Sequence, residues 1–549
     1  MSSLPEGNMT HDDNCEPCVD PARSETLSMS GNFLHRSWDI SSVPVGALTG
    51  GADKANGRKP VVYAGEKSDT PVVPGKLPNK GIGPAEAVEE RGVAKGNADE
   101  SPACRAQDRI NVSMGLEGVR QKARVDKRAR FTSLLHHVTP SLLVESFYAL
   151  RKNAASGVDD VTWREYEGRL YGRVHGLHRE IHTGAYKALP SRRAYISKAD
   201  GSKRPLGIAA IEDKIVQQAV STVLGTIYEE DFLGFSYGFR PGRSQHQALD
   251  ALWMGIERRK VGWILDADIS DFFGSIDHEW MERFLAHRIA DKRILRLIRK
   301  WLKAGTIEDG RRIVAEKGAP QGAVISPLLS NIYLHYVFDT WAHHWRRHQA
   351  YGDVILTRYA DDSVMGFEHE NEAERFLAAM RERFARFGLK LHPEKTRLIQ
   401  FGRRAAFWRQ RHGLGKPESF DFLGFTHCCG TTRKGRFKIV RLTIRKRMNA
   451  KLKDIRDRIK RRMHEPVKVI GKWLGGVVRG YFNYHAVPDN LRRLDSFRNE
   501  VIRIWLRALR RRSQRHRMPW NRFKHLANMY LPHARQQHPY PAKRFGVTT

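Results

Sequence analysis

Val354-Ile355-Leu356-Thr357-Arg358-Tyr359-Ala360-Asp361-Asp362-Ser363-Val364-Met365-Gly366-Phe367 sets two adjacent carboxylates between two short apolar runs. Each run is rich in residues that suit a pleated strand, and Tyr359-Ala360-Asp361-Asp362 suits the bend of a hairpin. On its own, Asp-Asp at a turn serves equally well to solvate a hairpin.

A second acidic site lies almost a hundred residues earlier. Trp263-Ile264-Leu265 reads as a strand ending in Asp266-Ala267-Asp268. Side chains alternate along a strand, so Asp266 and Asp268 share a face. Clustered carboxylates repel, and divalent cations relieve that cost. Two Mg²⁺ ions roughly 4 Å apart stabilise the attacking and leaving oxygens of a phosphoryl transfer. Mg²⁺ takes few carboxylates plus substrate phosphates, so three aspartates suffice.

The surroundings favour that chemistry. Lys198-Ala199-Asp200-Gly201-Ser202-Lys203-Arg204 reads as a basic hairpin turn, where Lys198 and Arg204 offer charge for a triphosphate. Pro320-Gln321-Gly322 breaks regular structure just before Ser326-Pro327 opens an apolar helix, which suits Gln321 to nucleotide contact. Phe272-Phe273 follows Asp268 and can set a ring beside a sugar. Helices are expected after Thr139-Pro140, over 208–227, and over 371–387 with Asn371 as cap and Gly388 as stop. Irregularly alternating helices and strands indicate an α+β core.

Composition narrows the partners. The 549 residues carry 95 Lys+Arg against 60 Asp+Glu, a net charge of +35 that calls for a polyanion, with nucleic acid ahead of an acidic membrane surface. The charge is uneven. Residues 1–105 hold 11 basic and 15 acidic side chains, whereas 441–549 hold 29 and 6. Residues 1–114, rich in Gly, Pro and Ser at their start, read as largely disordered. No uncharged apolar run reaches the ~18 residues of a membrane span, and no signal peptide is visible. Five cysteines form no disulfide framework, so a reducing cytoplasm is expected. Cys15-Glu16-Pro17-Cys18 and His427-Cys428-Cys429 are incomplete as zinc sites.

Together these segments resemble a group II intron-encoded protein, a reverse transcriptase and maturase. The likeness runs through Gly157-Val158-Asp159-Asp160, Ser236-Tyr237-Gly238-Phe239-Arg240-Pro241-Gly242-Arg243-Ser244, Asp268-Ile269-Ser270-Asp271-Phe272-Phe273, Gly318-Ala319-Pro320-Gln321-Gly322 and Tyr359-Ala360-Asp361-Asp362. It continues in Leu391-His392-Pro393-Glu394-Lys395-Thr396 and Phe420-Asp421-Phe422-Leu423-Gly424-Phe425, covering about 115–430. A softer likeness follows in Gly480-Tyr481-Phe482-Asn483-Tyr484 and His538-Pro539-Tyr540-Pro541. The resemblance implies right-hand polymerase fingers and a palm with an antiparallel sheet over 115–430. A helical thumb and maturase domain is implied over 431–549, in the form lacking the C-terminal HNH endonuclease domain.

It also implies roles. Asp268, Asp361 and Asp362, with the Ile269 carbonyl, are expected to hold two Mg²⁺. Lys198 and Arg204 are expected on the triphosphate, Phe273 under the sugar as a 2′-hydroxyl gate, and Gln321 on nucleotide and template. Lys395 is either a general acid for the leaving pyrophosphate or a surface lysine. Arg510, Arg511, Arg512, Arg515 and Arg517 are expected to bind RNA, while Trp505, Trp520, Phe523 and Tyr530 are core residues or stacking platforms. The implied partners are a group II intron RNA, an RNA template with a DNA or RNA primer, deoxynucleoside triphosphates and target DNA, with no membrane. Two other readings stay open: a stand-alone or defence-type reverse transcriptase, and an RNA-binding splicing factor with a dead polymerase.

Overall fold

The bend at Tyr359–Asp362 lies within a four-stranded sheet. Its strands run in the order Val354–Tyr359, Asp362–Phe367, Trp263–Ala267, Arg397–Gln400, and every neighbouring pair is antiparallel. In this computed structural model the described residues are 115–197, 203–314, 316–512 and 518–546. The segment 1–114, with Cys15 and Cys18, and the expected site residues Lys198, Arg515 and Arg517 lie outside them.

The sheet is covered on both faces, which explains why Val364, Met365 and Phe367 are all buried. Leu265, Met365 and Phe367 face the helix Glu370–Arg386 through Phe376 and Met380. Ile264 and Val364 face the opposite way, towards Leu249 and Leu252 of the helix Gln245–Arg258. Ala267 pairs with Ser363. Extending that register by one residue sets Asp268 opposite Asp362, on the face that carries Asp266.

The antiparallel hairpin Ser191–Ser197 and Lys203–Ile208 extends through Thr306–Glu308 and Arg311–Ile313 into a second four-stranded sheet. Ile208 therefore belongs to a strand. The expected helix starts three residues later and runs Ile211–Asp231, with Ile215, Val220 and Leu224 fully buried. Thr139 caps the helix Pro140–Ala149, its hydroxyl accepting from the Leu142 N–H. Gly388, at φ +74°, stops the helix Glu370–Arg386. Asn371 is not that helix's cap. The preceding His369 takes the position without a side-chain bond, while Asn371 Oδ1 accepts from the Tyr351 hydroxyl at 2.5 Å.

A three-stranded sheet, Phe437–Thr443, Phe425–Thr431 and Phe420–Phe422, shares the core around Ile264, so its hairpin continues across residue 430. Beyond it the chain is helical: Arg445–Arg461, Val467–His485, Leu491–Arg510 and Trp520–Tyr530 close around Leu474, Phe497, Val501 and Trp505. Trp505 and Phe523 are fully buried and Tyr530 packs against them, whereas Trp520 is exposed. Among the described residues no helix is long and apolar enough to cross a membrane.

Candidate active site

The structure sets Asp268, just past the end of the strand Trp263–Ala267, beside Asp361-Asp362, at the bend before the neighbouring strand Asp362–Phe367. Burial pushes the Asp362 carboxyl up to about 6, and the charges of Asp361 and Asp268 push the same way. Asp361 is also raised, by burial first and then by Asp268, with Arg204 and Arg358 opposing. Asp362 reaches solvent and Asp361 is half-buried. Asp266 belongs to the same acidic group. Burial raises it to about 7, Arg397 opposes, and Asp362, Asp268 and Asp421 add to the rise.

Hard oxygen donors that repel one another fit a divalent cation of the Mg²⁺ type. Among the described residues, no three His, Cys, Asp or Glu side chains are grouped closely enough to hold a metal by themselves. The Lys395 ammonium donates to Asp268 Oδ2 at 2.7 Å, so this lysine lies at the acidic centre. Ile269 is buried and bridges to Leu391, and the Asp268 carbonyl accepts from the His392 N–H at 2.8 Å. Both contacts fasten the segment after Asp268 to the loop that carries Lys395.

Arg204 is exposed on the strand Lys203–Ile208, near enough for its charge to favour ionised Asp361. The Gln321 carbonyl accepts from the Gly207 N–H at 2.6 Å, so the 320–322 turn is docked on the same strand. Phe273 is half-buried in the short helix Phe272–Ser275, edge-on to Phe272 at 5.4 Å. Its carbonyl accepts from the Ala319 N–H at 2.8 Å, which ties the ring's backbone to the same turn.

Sequence reasoning missed what holds the bend. Ala360 has φ +57°, a left-handed conformation usual for glycine. Arg358, one residue before the hairpin's closing pair, is 1% exposed. Its guanidinium donates to both Asp339 oxygens, to Asn331 Oδ1, to Ser236 Oγ and to the Ala360 carbonyl, at 2.6–3.0 Å. The Ser236-Tyr237-Gly238 segment runs alongside: the Tyr237 N–H donates to the Arg358 carbonyl, and the Arg358 N–H to that of Phe235. Asn331 Nδ2 anchors Gly238 through its carbonyl at 2.7 Å. A charged residue inside an otherwise apolar strand was the available signal.

The helical C-terminal region was also missed as a wall of the site. Arg447, in the first turn of Arg445–Arg461, favours ionised Asp362, and the Tyr484 hydroxyl donates to the Leu423 carbonyl at 2.8 Å. His427 is fully buried and stacked on Phe420 at 4.8 Å, and burial pushes the Cys429 thiol up to about 11. In the basic tail Arg511 is exposed, Arg510 donates to the Met518 carbonyl, and Arg512 to that of Glu465 at 2.7 Å.

Residues 196–427 match the family described as "Reverse transcriptase (RNA-dependent DNA polymerase)". The chain is 38% identical over 228 residues to "Protein YkfC" of Escherichia coli (strain K12), covering 40% of this chain and 60% of that one. It is 33% identical over 225 residues to "Group II intron-encoded protein LtrA" of Lactococcus lactis subsp. cremoris, covering 40% of this chain and 37% of that one. "Putative COX1/OXI3 intron 1 protein" of Saccharomyces cerevisiae is 24% identical over 426 residues, covering 64% of this chain and 50% of that one. The chain thus spans 60% or less of the length of these curated relatives. The resemblance read from the motifs is borne out over residues 196–427.

Proposed function

Residues 196–427 being a reverse transcriptase domain, we propose that the chain is an RNA-directed DNA polymerase. It extends a DNA or RNA primer along an RNA template with deoxynucleoside triphosphates. We propose further that it binds a group II intron RNA, assists its splicing, and takes part in mobility into target DNA in the cytoplasm. The observation that carries the polymerase reading is the meeting of Asp268 with Asp361 and Asp362 beside Arg204. The printed name of the Lactococcus relative supports the intron reading.

In this reading Asp268, Asp361 and Asp362, with the Ile269 carbonyl, hold two Mg²⁺. When bound, the ions supply charge stabilisation at the attacking and leaving oxygens. Arg204, together with Lys198, holds the triphosphate. Gln321, fixed to the fingers strand through its backbone, aligns nucleotide and template. Phe273 lies against the sugar and excludes a 2′-hydroxyl. Lys395 passes a proton from its ammonium to the departing pyrophosphate. Arg510, Arg511, Arg512, Arg515 and Arg517 contact intron RNA through its phosphates.

Asp361→Asn removes one carboxylate charge and keeps the shape. It is expected to abolish magnesium-dependent cDNA synthesis while RNA binding persists. Extension by this variant at the wild-type rate would overturn the assignment.

A further inference from the structure

The helix Arg403–Arg411 begins at the end of the palm sheet remote from the carboxylates. Arg397 pairs with Asp266 near the acidic centre, Gln400 with Trp263 at the other end, and the helix starts three residues later. Ala405 is buried and Ala406 packs on the core beneath it. Arg404 pairs with Glu368 at 2.7 Å and Arg403 with Glu257 at 3.4 Å. These contacts fix the helix in one rotation, and that rotation turns Phe407 and Trp408 outwards at 67% and 46% exposure.

Single exposed apolar residues need no explanation, but two adjacent large rings do. Residues four apart are neighbours on a helix, so Phe407 stands between Arg403 and Arg411, and Trp408 between Arg404 and His412. The His412 ring lies 4.4 Å from that of Trp408. The helix, Arg-Arg-Ala-Ala-Phe-Trp-Arg-Gln-Arg, holds four arginines and no acid. Arg403 also lies over Phe437 at 5.8 Å, joining the helix to the hairpin tip that exposes Arg433, Lys434 and Arg436.

An apolar protein surface would cover the rings and strand Arg411 and the basic tip at 433–436. Unpaired nucleic acid satisfies both, since every base has a face to stack and every linkage a phosphate. We propose that Phe407 and Trp408, flanked by Arg411 and the 433–436 tip, form a second nucleic-acid site for an unpaired strand, separate from the catalytic cleft. The choice of strand rests on the polymerase reading; the stacking chemistry does not.

The test uses the full chain with excess primer–template hybrid present, so that the cleft is occupied. Binding of labelled twelve-nucleotide oligouridylate and oligothymidylate is compared with that of a duplex of equal length. The double variant Phe407→Ala/Trp408→Ala is expected to lose about ten-fold or more in affinity for the single strands and nothing for the duplex. Phe407→Trp/Trp408→Phe keeps both rings and is expected to bind as the wild type does. Equal single-strand affinity in the alanine variant, or an equal loss for duplex and single strand, would overturn the proposal. Stronger loss for one oligonucleotide names the strand as RNA or DNA. Extension of a short primer–template is expected to match the wild type. If the wild type itself fails to extend, the polymerase reading falls while the binding comparison still decides this site.

Discussion

Arg358 and Asp339, at 1% and 0% exposure, meet through two hydrogen bonds of 2.6 and 2.7 Å directly behind the Tyr359–Asp362 bend. A buried pair of this kind is costly to break, because removing one partner leaves the other charge without compensation, at about 3–5 kcal/mol. Asp339→Asn is expected to lower the unfolding free energy read from chemical denaturation by an amount in that range. Arg358→Lys is expected to behave similarly, since an ammonium cannot reproduce the two-pronged contact. Denaturant titration of both variants checks this, and a loss under 1 kcal/mol would contradict it.

Gly238 supports the same bend by being small. A Cβ there would fall on the Ala360 nitrogen, with the Tyr359 carbonyl carbon at 2.9 Å. Backbone cannot step aside as a flexible side chain can. Gly238→Ala is therefore expected to displace Asp361 and reduce primer extension at least 100-fold, since a shift of about 1 Å at a reacting centre costs that much. Steady-state extension with an otherwise normal RNA affinity is the measurement. An unchanged rate would show that the bend tolerates the displacement.

These two residues also mark where sequence reading stops. Asp268 and Asp361-Asp362 were legible because each borders an apolar strand run, and strand periodicity sets Asp266 and Asp268 on one face; the register that brings Asp268 opposite Asp362 is tertiary. Arg358 gains its meaning from Asp339, Asn331 and Ser236, which lie 19, 27 and 122 positions away on separate elements. No local pattern encodes that convergence. Arg447 lies far from Asp362 in the chain, and only the tertiary fold brings its charge to bear on that carboxyl. The misplaced cap at Asn371 has two causes: the cap position falls two residues earlier, at His369, and a tertiary bond from Tyr351 claims the side chain.

Phe273 is half-buried, held edge-on by Phe272, and tied by its backbone to the turn that carries Gln321. A ring so fixed cannot yield to an added hydroxyl. Phe273→Ala is expected to raise incorporation of ribonucleotides relative to deoxynucleotides by about ten-fold or more, the order expected when one steric contact is lost. The ratio of kcat/KM for the two nucleotide classes reports it. An unchanged ratio would remove the gate role from this residue.

His427 gives the fold an acid-sensitive point. Burial, with Arg441 nearby, holds its folded pKa at about 3, below the ordinary value of 6.5. As pH falls through 6.5 the unfolded chain takes up the proton first, so stability is present above that value and is lost progressively down to about pH 3. One such group contributes a slope of about 1.4 kcal/mol per pH unit in that window. His427→Phe keeps the stack on Phe420 and removes the titration. The denaturation midpoint of the variant is expected to fall less than the wild type's between pH 6.5 and 5, and parallel curves would contradict this.

The basic tail is the last point where charge makes a measurable claim. Residues 441–549 carry 29 basic and 6 acidic side chains. The arginines there are not equivalent. Arg512 spends a donor on the Glu465 carbonyl and Arg510 contacts that of Met518, whereas Arg511 is exposed. Phosphate contacts release counterions, so RNA affinity is expected to fall steeply with salt, linearly on logarithmic axes. Arg511→Gln is expected to reduce that slope by about 1, the value for one lost phosphate contact, and to weaken all RNA sequences alike. Arg512→Gln is expected to lower thermal stability as well, because its carbonyl partner is left without a donor. Filter binding across a salt series, beside thermal melts, separates the two effects. Identical salt slopes for wild type and Arg511→Gln would place the RNA elsewhere on the chain.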